Sequence, residues 1–279
     1  MNTQFIAINQ VRFHHLEWAG GTPPVVFLPG FISNAYAAIR LAAALSPQNR
    51  VLAFDLRGRG GSDKPIGTYG MAQHIEDTKA RLDALNIGQC ILAGHSFGAA
   101  LALFFADRYP ERVQKIILFD GGAVPSPEAR MLFQAYHSNL VYEYPSVESY
   151  LAPYRQMESL QPWTEEAEIL TRQNVIERPD GSAYRSVPVH VVEAELRQLA
   201  QGDWAQLAAI YPQIQVPVLL IRAGIGSFSR SDQHLPDVVL QTLTFNNLQV
   251  YDMHDAGHTS ILTVPDPGRD AVLREFTHA

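Results

Sequence analysis

The sequence predicts an α/β fold: a mostly parallel, eight-stranded sheet flanked by helices, with a helical cap inserted after the sixth strand. Three observations predict it. Short β-rich apolar runs alternate with helical patterns through the first half of the chain, as in a parallel sheet covered on its faces. Between about residues 123 and 213 the alternation gives way to helical segments rich in Tyr, Trp and Glu, with no convincing strand. The sheet pattern then returns and runs to the C-terminus.

Residues 4–10 and 11–18 form a leading hairpin. Val25-Val26-Phe27-Leu28 is a buried strand stopped by Pro29-Gly30, and Ala35 to Leu45 is a helix. Val51 to Phe54 is the next strand, ended by the turn-rich Arg57-Gly58-Arg59-Gly60-Gly61-Ser62. Helical spacing of Met71, Ile75, Leu82 and Leu85 predicts a helix over 71–86. Strand Cys90 to Ala93, a helix from about Ser96 to Tyr109 and strand Val113 to Phe119 close this half. After the insertion come strand Val216 to Arg222, a helix near Pro236 to Leu243, strand Leu248 to Met253 and a last helix from about Pro267. The expected division is a core of residues 1–122 and 214–279 and a cap of residues 123–213.

A length of 279 residues suits one large domain carrying an insertion, and 47% hydrophobic with 18% charged residues is far from a disordered composition. The net charge of −7, with no Lys/Arg run to supply a clustered positive surface, argues against a nucleic-acid partner, and none is expected. Cys90 is the only cysteine, so neither an intrachain disulfide nor a cysteine zinc site is available. The start Met1-Asn2-Thr3-Gln4-Phe5 lacks the basic and apolar segments of a secretory signal, which makes the cytoplasm the expected location. Cys90 to Ala106 is apolar but shorter than the ~20 residues of a membrane span, so no membrane partner is expected.

The chemistry concentrates where that segment changes from strand to helix. Gly94-His95-Ser96-Phe97-Gly98 matches G-x-S-x-G, with a buried strand ending before it and a helix starting inside it. A short pattern of this kind also arises by chance, so the context carries the weight. Small residues two before and two after the serine let strand and helix approach closely, and the helix N-terminus offers N–H groups to a developing oxyanion. Phe97 supplies one such amide. The loop after the third strand, Leu28-Pro29-Gly30-Phe31, offers a second from Phe31. Asp255-Ala256-Gly257-His258 follows the last strand and places His258 as a base at the same sheet edge. His254 and His258 have the spacing of H-E-x-x-H, but a glycine after a strand replaces the helix that this motif needs. No metal site and no cofactor are expected.

These segments, in order along nearly the whole chain, resemble the α/β-hydrolase fold family, and Asp55-Leu56-Arg57-Gly58-Arg59-Gly60-Gly61-Ser62 is similar to that family's structural turn after the fourth strand. The resemblance implies a Ser-His-acid triad and a helical cap. The acid departs from the common pattern, because Ala223-Gly224-Ile225-Gly226-Ser227-Phe228 puts Ser227 where an aspartate is usual. Some branches carry the acid at the end of the sixth strand, where Asp120 stands. Asp120 is therefore the expected acid, with Asp232 as the alternative and Asp255 as a third candidate. His95 is expected to be structural; His14, His15, His74, His137, His190, His234 and His278 receive no chemical role. Glu165, Glu166 and Glu168 read as a solvated helix face.

The expected activity is that of a serine hydrolase, of the carboxylic ester type, acting on an ester, lactone or amide of a small-to-medium apolar or aromatic molecule. Phe133, Tyr136, Tyr142, Tyr144, Tyr150, Tyr154, Trp163 and Trp204 are the candidate pocket residues, most of them equally suited to ordinary helix packing. Arg155 or Arg185 would suit a substrate carboxylate, although isolated arginines in such insertions are usually exposed. Alternatives are a carbon–carbon bond hydrolase of vinylogous diketones, a cofactor-free perhydrolase or oxygenase, and a ligand-sensing relative with little turnover. The serine at the elbow separates the chain from haloalkane dehalogenases and epoxide hydrolases of the family, which use aspartate there. The partner is a small-molecule substrate; the oligomeric state is left open.

Overall fold

The computed structural model describes residues 1–124, 131, 142–200 and 203–278. The chain opens with β1 (Asn2–Ile8) and β2 (Val11–Trp18), an antiparallel pair in register from Asn2↔Glu17 to Ile8↔Val11. β3 (Val25–Leu28), β4 (Val51–Phe54), β5 (Cys90–His95) and β6 (Val113–Phe119) follow, and β3, β4 and β5 have every residue buried. β7 (Glu143–Tyr144), β8 (Val175–Glu177) and β9 (Ala183–Arg185) lie in the insertion; β10 (Val218–Ile225) and β11 (Leu248–Gly257) complete the main sheet. Its order is β1-β2-β4-β3-β5-β6-β10-β11, parallel from β4 to β11.

Because successive side chains point to opposite faces of a strand, this sheet feeds two cores. Leu92, Ile116 and Leu118 join one apolar cluster with residues of helices α2 (Met71–Ala84) and α3 (Phe97–Arg108). Ile91, Ala93, Ile117 and Phe119 join the other with α1 (Ile39–Leu45) and the C-terminal helix Pro267–His278. α3 is buried at ten of its twelve positions. That burial explains why Cys90 to Ala106 is so apolar; no helix among the described residues is long and apolar enough to cross a membrane.

The insertion contains α4 (Val147–Tyr154), α5 (Glu165–Arg172), α6 (Val189–Ala200) and α7 (Asp203–Ile210). It is not purely helical, contrary to the expectation from the sequence. β7, β9 and β8 form a three-stranded antiparallel sheet. Strands of two or three residues are too short to display an alternating pattern. The β8–β9 turn was nonetheless written in the chain: Pro179-Asp180-Gly181 is strong turn chemistry, and Gly181 takes φ +84° while Arg178 N–H donates to Ser182 O at 2.7 Å.

Other boundaries differ as well. The helix expected over 236–243 is only α8 (Asp237–Leu240), one turn after Pro236. Ala35–Ala38 is a 3₁₀ turn ahead of α1 rather than α-helix, capped by the Asn34 side chain. β11 continues to Gly257 through a register shift against β10, so the strand carries the chain right up to His258.

Candidate active site

Ser96 sits between β5 and α3 with φ +53° and ψ −114°, a left-handed backbone that a non-glycine residue adopts only when its surroundings impose it. Its N–H donates to Phe119 O at 3.1 Å, and its carbonyl accepts from Ala99 N–H at 3.0 Å as the helix begins. The flanking glycines are steric requirements. A Cβ on Gly94 would lie 2.1 Å from Gly98 O, and one on Gly98 would lie 2.1 Å from Leu28 O. The turn therefore exposes one side chain at the C-terminal edge of the sheet while β5, α3 and β3 close beneath it.

Asp120 follows β6 directly, is fully buried and has φ +41°. Its N–H donates to Ile221 O at 2.8 Å, which fixes it between β6 and β10. Oδ1 accepts Ala223 N–H at 3.1 Å and Oδ2 accepts Nδ1–H of His258 at 2.7 Å. The histidine is itself held from two sides: its N–H donates to Gly226 O at 3.2 Å, and its carbonyl accepts from Nε2–H of His95 at 2.7 Å. His95 thus has the structural part expected of it, bracing the His258 loop from the residue next to Ser96.

Burial sets the resting protonation. Loss of solvent lowers the His258 pKa to about 3, so the imidazole is neutral near pH 7. With its one proton on Nδ1, facing Asp120, Nε2 is left with a lone pair. Burial raises the Asp120 carboxyl above its usual range, opposed by the nearby His234 and by the Ala223 N–H. Burial likewise pushes the Cys90 thiol up to about 12, so it is an inert core group.

The other two acids have different occupations. Asp232 accepts N–H of Ser229 at 2.7 Å and of Phe228 at 3.0 Å, closing the turn Arg230–Asp232. Asp255 pairs with Arg230 at 3.0 Å on the surface. The loop after β10 instead delivers His234, whose ring stacks on that of His258 with centroids 3.7 Å apart and planes at 23°. Sequence reasoning missed His234, and only its position in the variant loop after β10 marked it.

Asp120, His234 and His258 bring one oxygen and two ring nitrogens within 4.8 Å of one another. Such donors suit a transition metal, but nearly parallel rings aim their in-plane lone pairs side by side rather than at one point, and Asp120 already holds His258.

Phe97 opens α3, so its N–H has no acceptor within the helix. The Phe31 ring packs edge-on against that of Phe97 at 5.9 Å, bringing the loop after β3 against the elbow. Arg59, from the turn after β4, donates to Phe31 O at 2.9 Å and to Glu195 of α6 at 2.9 Å. His74 Nε2 meets the same Glu195 oxygen at 2.6 Å. Arg59, His74 and Glu195 are all fully buried; burial would raise the Glu195 carboxyl, but the Arg59 guanidinium and the contacts of Arg59 and His74 hold it down to about 2. The insertion is thereby tied to the loop of Phe31.

Of the candidate pocket residues, Phe133 and Tyr136 lie outside the described residues, as does the side chain of Trp204. Trp163 Nε1–H donates to Glu168 at 2.8 Å, and Arg155 pairs with Glu148 and Glu168, so these side chains join the insertion's own polar network. Glu166 reaches Arg40 of α1 at 3.2 Å, so the acidic face of α5 is partly an ion-paired contact. Tyr154 packs against Tyr150 and lies beside Arg185, which, contrary to expectation for an arginine of the insertion, is 3% exposed.

A sequence model described as the alpha/beta hydrolase fold matches residues 23–265. The chain is 28% identical over 233 residues to a 2-(acetamidomethylene)succinate hydrolase of Mesorhizobium japonicum, covering 79% of this chain and 81% of that protein. It is 31% identical over 132 residues to a cis-3-alkyl-4-alkyloxetan-2-one decarboxylase of Shewanella oneidensis, covering 46% of this chain and 41% of the relative. The match to human epoxide hydrolase 4 is 37% over 114 residues, 39% of this chain and 31% of the relative. The last two thus match over less than half of their own length. Among solved structures, a putative hydrolase from Rickettsia typhi superposes with a TM-score of 0.80 at 18% identity over 99% of this chain and 98% of the other. The crystal structure of E-2-(acetamidomethylene)succinate hydrolase gives 0.78 at 21% over 99% and 98%.

Proposed function

Because the chain belongs to the alpha/beta hydrolase fold family, we propose that it is a serine hydrolase whose triad is Ser96, His258 and Asp120. The observation that carries this reading is the 2.7 Å bond from His258 Nδ1 to a buried Asp120, formed at the sheet edge where Ser96 stands on a strained turn. The substrate is an ester, lactone or amide of small-to-medium size. Ser96 Oγ attacks the carbonyl carbon while His258 Nε2 takes its proton. The negative charge on the carbonyl oxygen falls to the amides of Phe31 and Phe97. Collapse of the adduct expels the leaving group, which receives the proton from His258, and water then attacks the acyl-enzyme by the same route in reverse. Asp120 keeps the imidazole in the tautomer that accepts at Nε2 and stabilises the imidazolium as it forms.

Residues 123–213 act in this reading as a cap over the site, with core residues 1–122 and 214–279 below. The Arg59–Glu195 pair, which joins α6 to the loop of Phe31, supports that arrangement. A single buried cysteine is in keeping with a cytoplasmic enzyme.

Steady-state hydrolysis of a panel of chromogenic esters tests the proposal. Turnover by the wild type that falls at least ~10³-fold in Ser96→Ala and in His258→Ala, each shown to be folded, is the expected result. Turnover that survives Ser96→Ala would overturn it.

A further inference from the structure

Among the described residues, four of the five buried arginines bond a carboxylate or backbone carbonyls, and Arg185 does neither. Arg57 grips Asp77 with two bonds of 2.5 and 2.6 Å, Arg59 bonds Glu195 at 2.9 Å, and Arg269 bonds Asp270 at 2.8 Å. Arg81 spends two N–H groups on the carbonyls of Asp55 and His14, both at 2.7 Å. Arg185 is only 3% exposed, yet among the described residues no carboxylate lies within ion-pair distance of it. Its polar neighbours are the hydroxyls of Tyr144 and Tyr154, the latter at a long 3.5 Å, and its guanidinium lies 5.7 Å from the centroid of the Tyr150 ring.

A guanidinium does not shed its charge in a protein, and it carries five N–H donors in a planar fork. Burial raises the pKa of the Tyr144 and Tyr150 phenols, so these side chains stay neutral. Among the described residues the nest thus holds one positive charge with no carboxylate beside it, the condition in which a bound anion gains most.

The chain that leaves the nest leads to the loop of Phe31. Arg185 ends β9, and the N–H of the next residue, Ser186, donates to Asn174 O at 2.9 Å. Asn174 Oδ1 in turn accepts from Asn34 Nδ2 at 2.8 Å, three residues after Phe31. Val187, two residues after Arg185, packs in the same apolar cluster as Phe31 and Phe97.

We propose that Arg185, with the hydroxyl of Tyr154, binds a free carboxylate of the substrate, so that the enzyme acts on acyl compounds bearing one carboxylate away from the scissile carbonyl. The inference rests on the hydrolase reading above. A carboxylate fits because its single charge balances the single guanidinium and its two oxygens match the fork. A dianionic phosphate would need a second cation, and the nearby Arg155 is already held by Glu148 and Glu168.

The test is calorimetric titration of folded Ser96→Ala protein, which lacks the nucleophile, with the monomethyl esters of succinic, glutaric and adipic acid and with the matching neutral primary amides. The expected result is at least tenfold tighter binding of the acid than of its amide for one chain length. Arg185→Gln should abolish that preference, and Tyr154→Phe should reduce it severalfold. No preference for the anion at any chain length, or a preference that survives Arg185→Gln, would overturn the proposal. The acid–amide comparison needs no change at Arg185, so it decides the matter even where that variant does not fold. Binding is read without turnover, so a preference for the anion in a protein that hydrolyses no ester would sink the hydrolase reading and leave the carboxylate site standing.

Discussion

Replacing Asp120 by Asn changes one atom at the centre of the proposed mechanism, and the structure gives the consequence. In the native protein Oδ1 takes the Ala223 N–H at 3.1 Å and Oδ2 takes His258 Nδ1–H at 2.7 Å. The asparagine keeps one acceptor oxygen. If that oxygen stays with the Ala223 amide, the new NH₂ group faces Nδ1 and forces it to accept, which moves the imidazole proton to Nε2. The general base is then lost without any change in shape. Loss of the right tautomer in a serine triad costs roughly 10⁴-fold in rate, or about 5.5 kcal/mol in the barrier at about 1.4 kcal/mol per tenfold. Every polar atom remains paired and a buried charge is removed, so Tm should move by no more than a few degrees. The assay is kcat/KM on the best chromogenic ester, with Tm measured on the same samples and Asp232→Asn as control. Asp232 only caps a turn, so its variant should stay within about threefold of wild type, since only an exposed cap of about 1 kcal/mol is disturbed. A folded Asp120→Asn protein that retains more than a tenth of wild-type activity would refute the argument and leave Asp120 as a loop anchor.

Three more perturbations probe the neighbouring parts. Glu195→Ala leaves Arg59 and His74 buried without their shared carboxylate, at a cost of about 3–5 kcal/mol; at about 2–4 °C per kcal/mol for a protein of this size, calorimetry should record a Tm lower by about 10 °C, and a drop under 3 °C would contradict the network. Removing the ring stacked on His258 in His234→Ala forfeits about 0.5–1.5 kcal/mol, so kcat/KM should fall about three- to tenfold and return in His234→Phe. Burial lowers His15 to about 4 and His95 and His258 to about 3, while in the unfolded chain each titrates near 6.5. Between those limits the unfolded state binds more protons, so stability is present above pH 6.5 and is lost as pH falls toward 4. Each histidine adds up to about 1.4 kcal/mol per pH unit, opposed by Asp120, whose raised pKa acts in the other sense. Urea midpoints should therefore drop steeply below pH 6, and a flat profile from pH 7 to 4 would contradict the assigned burial.

What the sequence disclosed follows from how local each feature is. The Ser96 turn lies within five residues, and its glycines are required by contacts at 2.1 Å that any larger residue would violate; a motif of that kind is legible directly. The parallel strands were legible for the same reason, since apolar runs such as Cys90–Ala93 and Val113–Phe119 need no partner to be read. Asp120 was reachable only through family resemblance, because its bond to His258 spans 138 residues. His234 was not reachable, as its stacking depends on where the loop after β10 turns back. Arg185 was named with Arg155 as a group that would suit a carboxylate, but its burial was not legible because charge predicts exposure; that burial arises from the three tyrosines of β7 and α4 that close around it. Strands as short as β8 and β9 left only their turn as a trace.

The most direct test of the central claim is intact-protein mass spectrometry after exposure to a fluorophosphonate, followed by mapping of the modified peptide. The account predicts one adduct per chain, located on Ser96, with labelling slowed by several orders of magnitude in His258→Ala. No adduct on a folded protein, or an adduct on a residue other than Ser96, would contradict it.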